Sequence, residues 1–291
     1  MRIESVRDLT LSRHLSLAEA ELSKGPHPER ARPDAEALLL HVTRRSRASL
    51  LAHRKDPLLP VDAGRYHLLV ARRLTGEPMQ YILGEAEFYG LPFRITPDVL
   101  IPRPETEHLV EKVISLAEHF ERPRIVDVGT GSGAIAVALA HNLHAASMTA
   151  IDISPPALEL AQWNAERLGF GDRIRFLQGD LLAPVADEQF EIVVSNPPYV
   201  AEADRKSLSV EVREYEPAQA LFAGSDGLEI YRRLIPATLR VLIPGGQVAL
   251  EIGYGQRDAV NALLVEGGFE LVESSADLQG IARVVIALRQ A

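Results

Sequence analysis

The sequence predicts an α/β fold with a mostly parallel sheet, preceded by a small helical N-terminal domain. Three observations carry this. From Glu107 onward, short apolar runs alternate with helical stretches, the pattern of strands joined by crossover helices. A glycine-rich turn stands between the first of those runs and the helix that follows. Before Gly84, apolar residues recur at helical spacing, as in Ala35, Leu38, Leu39 and Val42, or Tyr66, Leu69, Val70 and Leu74.

In chain order, residues 1–85 form helices punctuated by Gly25-Pro26 and Gly76-Glu77-Pro78. Residues 86–106 have mixed β character, with Gly90, Pro92 and Pro97 as breakers, and read as a hairpin or linker. Residues 107–291 form the sheet domain. A helix carrying Leu109, Val113 and Leu116 leads into a strand at 124–128. Further strands are expected at 148–151, 174–177, 190–195 and 247–252, with helices at 134–142, 156–168, 228–241 and about 258–266. Residues 241–247 read as a helix end and a tight turn. Residues 269–273 and 283–288 are separated by turn residues, so they read as an antiparallel pair at the sheet edge.

The 291 residues contain no cysteine, which excludes disulfides, thiolate metal sites and a cysteine nucleophile. The nine histidines are scattered, with no spacing that marks a metal pair, and no metal is expected. Residues 1–22 carry Arg2, Glu4, Arg7, Asp8 and Arg13 without an apolar run, unlike a secretion signal. No membrane association is expected, and the location expected is cytoplasmic. The net charge of −9 argues against coating nucleic acid, so no stable nucleic acid partner is expected either. The charge is uneven: residues 1–85 carry net +3 and residues 86–291 net −12. Arg44, Arg45, Arg47, Arg54, Lys55, Arg65, Arg72 and Arg73 have only Asp56 and Asp62 among them. They form either a solvated face or a docking surface for an acidic or ribonucleic partner.

Four features follow the strands. Asp127-Val128-Gly129-Thr130-Gly131-Ser132-Gly133 joins the first strand to a helix, and its glycines let the backbone turn tightly against a ligand. Its spacing differs from the dinucleotide fingerprint. Asp152 ends the second strand, 21 residues after Gly131, where an acid accepts from ribose hydroxyls; the alternative is a helix cap before Pro155-Pro156. Asp180 ends the third, either reaching an adenine amino group or making a plain turn. Asn196-Pro197-Pro198-Tyr199 ends the fourth. Its prolines remove two backbone donors and leave carbonyls that, with the Asn196 side chain, grip an NH2 group. Tyr199 can stack on the planar group that bears it. Together the motifs imply methylation of a planar amide or amine nitrogen from S-adenosylmethionine. Glu251, in the fifth strand, is either functional or at the strand's wet end.

Nearly the whole chain resembles the HemK/PrmC family, the N5-glutamine methyltransferases of peptide chain release factors. The resemblance rests on Asn196-Pro197-Pro198-Tyr199 together with Gln80-Tyr81-Ile82-Leu83-Gly84, Phe88-Tyr89-Gly90, and Leu100-Ile101-Pro102-Arg103-Pro104-Glu105-Thr106-Glu107. Val212-Arg213, Glu216-Pro217 and Ala220-Leu221 extend it. It implies a class I (Rossmann-like) methyltransferase domain behind a helical substrate-docking domain and a hairpin linker. It also implies methyl transfer to the glutamine of the Gly-Gly-Gln motif in class I release factors, with S-adenosylhomocysteine as product. Gly129, Thr130, Gly131, Ser132, Gly133, Asp152 and Asn196 then match cofactor contacts. Asn196, Pro197, Pro198 and Tyr199 match the substrate-glutamine site, with Asn196, Pro197 and Tyr199 catalytic. The family often has an aromatic residue after the third-strand acid. Leu181 stands there in this chain, so an adenine contact beside Asp180 is aliphatic or through backbone. The alternatives are a ribosomal-protein glutamine methyltransferase and an adenine-N6 or RNA base amino-methyltransferase, the latter disfavoured by the acidic sheet domain.

Overall fold

A computed structural model describes residues 9–277 and 279–290. The chain divides into two compact units: the residues through Gly84 together with Ser209–Tyr215, and the remainder.

The smaller unit contains α1 (Leu11–Leu22), α2 (Ala31–Thr43), α3 (Arg47–Ala52), α4 (Pro60–Leu74) and α5 (Met79–Leu83). Thr10 caps α1 by accepting from the Arg13 N–H, Ser46 caps α3, and Pro60 opens α4 with its backbone angle already helical. Leu11, Leu15, Ala18 and Leu22 form one stripe of α1, which packs with Ala35, Leu38 and Leu39 of α2 and Tyr66 and Val70 of α4. The buried Tyr66 hydroxyl donates to the Ala35 carbonyl at 3.0 Å. Arg73 is also buried; its Nε donates to Asp34 Oδ2 at 2.7 Å, and its Nη1 meets the Glu77 carbonyl and the Glu211 carboxylate. Glu211 arrives on a short helix from the distant segment Ser209–Tyr215, whose Tyr215 hydroxyl bonds Thr75.

The larger unit opens with the hairpin β1 (Glu85–Phe88) and β2 (Leu91–Arg94), which turns through Tyr89 and Gly90, both at positive φ. The hairpin is part of this unit's packing, with Phe88 and Phe93 fully buried. Next come α6 (Pro104–Ala117), β3 (Arg124–Val128), α7 (Ala134–Asn142), β4 (Ser147–Asp152), α8 (Pro155–Leu168), β5 (Ile174–Gln178) and β6 (Phe190–Ser195). The short helices α9 (Val210–Tyr215), the one that carries Glu211, and α10 (Ala218–Leu221) precede α11 (Glu229–Val241), β7 (Leu242–Glu251), α12 (Arg257–Glu266), β8 (Phe269–Ala276) and β9 (Ala282–Arg289). Of these, α9 belongs to the smaller unit.

The seven strands run β5-β4-β3-β6-β7-β9-β8, parallel through β7, with β9 and β8 antiparallel at the edge. This is the Rossmann-like class I architecture, with β3 central and fully buried from Ile125 to Val128. The order reverses between β3 and β6, which opens a crevice at their carboxyl ends. The largest boundary difference from the sequence expectation is at β7, which starts at Leu242, five residues early. Leu242 pairs with Phe190, the next paired residues are Ile192 and Gln247, and the intervening residues loop out as a bulge. Among the described residues, no helix is long and apolar enough to cross a membrane.

Candidate active site

Four strand ends meet at the carboxyl edge of the sheet and line a cavity of about 400 Å³. After β3, Gly129, Gly131 and Gly133 all take positive φ, and the Gly129 and Thr130 N–H groups donate to the Ile151 carbonyl, fastening the turn to β4. A Cβ on Gly129 or Gly131 meets no atom within 4 Å, so both backbones face open space; one on Gly133 meets Ala161 Cβ at 3.1 Å, where α7 and α8 approach. Beneath the turn lies Asp127, fully buried. Burial pushes its carboxyl up to about 7, against the Thr130 hydroxyl, which donates to it at 2.6 Å, and the Ala136 N–H.

At the end of β4, Asp152 Oδ2 accepts from the Gly131 N–H at 2.8 Å and Oδ1 from the Ser154 N–H at 2.9 Å. The helix cap is therefore Ser154, which accepts from Ala157, and Asp152 is left facing the cavity. Past β5, Asp180 is exposed and ion-paired with Arg233, while Leu181 holds positive φ and leans on the core of β6 and β7.

After β6 come Asn196 and Pro198 on the cavity wall, with Pro197 buried behind them. Asn196 Nδ2 donates to Thr106 Oγ1 at 3.1 Å, and the Thr106 hydroxyl donates to Glu251 Oε2 at 2.6 Å. The Tyr199 hydroxyl reaches Glu251 Oε1 at 3.5 Å, and its ring lies against Gly253, where a Cβ would meet it at 2.9 Å. Burial pushes the Tyr199 phenol well above its usual value, and pushes the Glu251 carboxyl up to about 7.

Of the residues singled out in the sequence, Gly129, Gly131, Asp152, Asp180, Leu181, Asn196 and Pro198 line the cavity. Thr130, Ser132, Gly133, Pro197 and Tyr199 stand outside that lining: the Thr130 hydroxyl is spent on Asp127, and the Ser132 carbonyl on Asn164. The basic cluster is thinner than its sequence implies. Arg45, Arg47, Arg72 and Arg73 pair with Asp56, Glu36, Glu77 and Asp34, which leaves Arg44, Arg54, Lys55 and Arg65 without an ion pair among the described residues.

Residues 106–221 match the family described as the methyltransferase small domain, and residues 14–84 that described as the PrmC N-terminal domain. A release factor glutamine methyltransferase of Geobacter sulfurreducens is 45% identical over 88% of this chain and 89% of its own length. One from Moorella thermoacetica is 43% identical over 97% and 99%. The chain belongs to the release factor glutamine methyltransferase family. Among solved structures, a ribosomal protein L11 methylase from Lactobacillus delbrueckii subsp. bulgaricus matches at 26% identity and a TM-score of 0.51, over 68% of this chain and 86% of that one.

In this family member two supporting residues, Asn164 and Gln256, escape a reading by motif. Asn164, fully buried on α8, accepts from the Arg94 N–H at 2.8 Å and donates to the Arg94 and Ser132 carbonyls, tying hairpin, helix and glycine turn together. A polar residue in register with Leu160 and Ala161 on the buried face of α8 is the signal that marks it. Arg103 and the buried Glu216 pair at 2.5 Å, joining two family strings. Gln256 fixes the backbone around the tyrosine, donating to the Tyr199 carbonyl at 2.9 Å and accepting from the Gly253 N–H.

Proposed function

We propose that this chain transfers a methyl group from S-adenosylmethionine to the side-chain N5 of the glutamine in the Gly-Gly-Gln motif of class I peptide chain release factors. The observation that carries the reading is Asn196 on the cavity wall, its Nδ2 already engaged by Thr106, so that Oδ1 is the atom left to accept. Relatives at 45% and 43% identity, named as release factor glutamine methyltransferases, support the substrate. Such a substrate places the activity in the cytoplasm.

The residues present fit the cofactor. Gly129 and Gly131 leave open the space that a Cβ would fill, and the Asp152 carboxylate, with two bonds made, has lone pairs left for ribose hydroxyls. Gly129 through Gly133 and Asp152 would hold it, with Leu181 and the backbone beside Asp180 at the adenine end. When bound, the sulfonium supplies an electrophilic methyl group and leaves as S-adenosylhomocysteine.

The chain's own contribution is orientation. An amide nitrogen shares its lone pair with the carbonyl and is a poor nucleophile. Asn196 Oδ1 and the Pro197 carbonyl accept its two hydrogens and aim the nitrogen, and Tyr199 supports the planar group; no base need act before the new bond forms, and the proton the nitrogen then carries is lost to water. Mass spectrometry of a class I release factor incubated with this protein and labelled cofactor tests the reading. One labelled methyl on the Gly-Gly-Gln peptide is expected; an unmodified factor beside a labelled nucleic acid or ribosomal protein overturns it.

A further inference from the structure

We propose that Glu251 is a positioning residue for methyl transfer, acting through the Thr106 hydroxyl to keep the Asn196 amide in its accepting orientation. The inference rests on the reading of Asn196 as the acceptor of the substrate amide.

Three elements meet here: Glu251 is the last residue of β7, Thr106 lies in the first turn of α6, and Asn196 follows β6. Thr106 and Glu251 are each under 5% exposed. A threonine hydroxyl has a single proton and two lone pairs. That proton is committed to Glu251 Oε2 at 2.6 Å, so towards Asn196 the Thr106 oxygen offers only lone pairs. It therefore selects the Nδ2 face of the Asn196 amide, at 3.1 Å, and turns Oδ1 away. The flipped amide would need the same Thr106 proton and would strand a buried carboxylate oxygen, which is costly. Oε2 accepts both when the carboxyl is ionised and when it carries a proton on Oε1, facing Tyr199.

The Glu251 carboxyl thus fixes the polarity of a side chain it does not touch. Without it, the Thr106 hydroxyl is free to donate to Asn196 Oδ1. The amide then turns over, and a donor stands where the substrate NH2 needs an acceptor. The fault is one of orientation, so it falls on the chemical step and spares cofactor binding.

The test uses the full chain, with single-turnover methylation of a Gly-Gly-Gln peptide at saturating S-adenosylmethionine, cofactor affinity by calorimetry, and thermal melting. Thr106→Val and Glu251→Leu should each lower the rate roughly 10- to 100-fold, less than the ~10²–10³-fold of losing a group that touches the reacting atoms. Thr106→Ser and Glu251→Gln, which keep the hydroxyl and an accepting oxygen, should recover the rate to within about threefold of the parent, with cofactor affinity unchanged throughout. Because the two residues act in series, the double variant Thr106→Val/Glu251→Leu should lose no more than either single variant. In nuclear Overhauser spectra, the Asn196 side-chain amide protons should lie beside Thr106 in the parent and lose that contact in Glu251→Leu. Full activity in Thr106→Val, additive losses in the double variant, or an unmoved amide contact overturns the proposal. If Glu251→Leu does not fold, the Thr106→Val and Thr106→Ser pair decides alone. An inactive parent overturns the proposed function instead.

Discussion

Asp127 stands outside the cavity lining, yet its chemistry is unusual. Fully buried under the glycine turn, its carboxyl is pushed from an ordinary 3.8 up to about 7. Because the folded value lies above the unfolded one, the stability carried by the retained proton is complete below about pH 4 and lost as the pH rises through about 7. Asp127→Asn cannot ionise. It should therefore gain on the parent by roughly 2–3 kcal/mol between pH 5 and pH 8, at about 1.4 kcal/mol per pKa unit. Urea unfolding of both proteins at the two pH values measures this, and a constant difference rejects the assignment. Asp152→Ala should weaken S-adenosylmethionine binding by roughly 30- to 1,000-fold, the worth of two hydrogen bonds to a charged acceptor. Unchanged affinity by calorimetry would remove the ribose role. Asp152 and Asn196 are legible in the sequence because each directly follows an apolar strand, and strand ends are where such sheets bind ligands. The role of Glu251 is not: Thr106 lies 145 residues away, and only the folded sheet brings β7 and α6 together.

At the scale of elements, the buried parallel strands are legible because β3, β4 and β6 are short apolar runs with turn residues on either side. The start of β7 is not, because Pro244-Gly245-Gly246 has the composition of a turn and is a bulge inside a strand. The hairpin of β1 and β2 looks like a linker by its glycine and prolines, but its place is set by Asn164 on α8. Asn164→Ala strands the Arg94 N–H and both the Arg94 and Ser132 carbonyls. The expected cost is roughly 2–4 kcal/mol in unfolding free energy, from several buried groups left unpaired. Because Ser132 belongs to the glycine turn, cofactor affinity should fall as well. Denaturant titration and calorimetry check the two effects, and a stability loss with wholly unaltered cofactor binding would separate the hairpin from the turn.

For the molecule as a whole, the four cations of the cluster that have no ion partner among the described residues share the smaller unit with Leu51, Leu59, Val61 and Leu68, which are 60–66% exposed. Exposed cations and exposed apolar side chains on one unit suit protein docking better than cations alone. Reversing Arg44, Arg54 and Arg65 together to Glu should raise KM for the intact release factor roughly 3- to 30-fold at low salt, leaving kcat unchanged. A short Gly-Gly-Gln peptide should be indifferent to the change. An unmoved KM for the intact factor would make the cluster a solvated surface after all. The buried Arg73 carries a different consequence, one of timing. Synthesis from the N-terminus delivers Asp34 before Arg73, but Glu211 follows 138 residues later. At roughly 5–20 residues per second, a ribosome needs about 7 to 30 s to cover that interval. The smaller unit must thus wait for its last piece, and for those 138 residues of synthesis its nascent helices hold an arginine with half its anionic company missing.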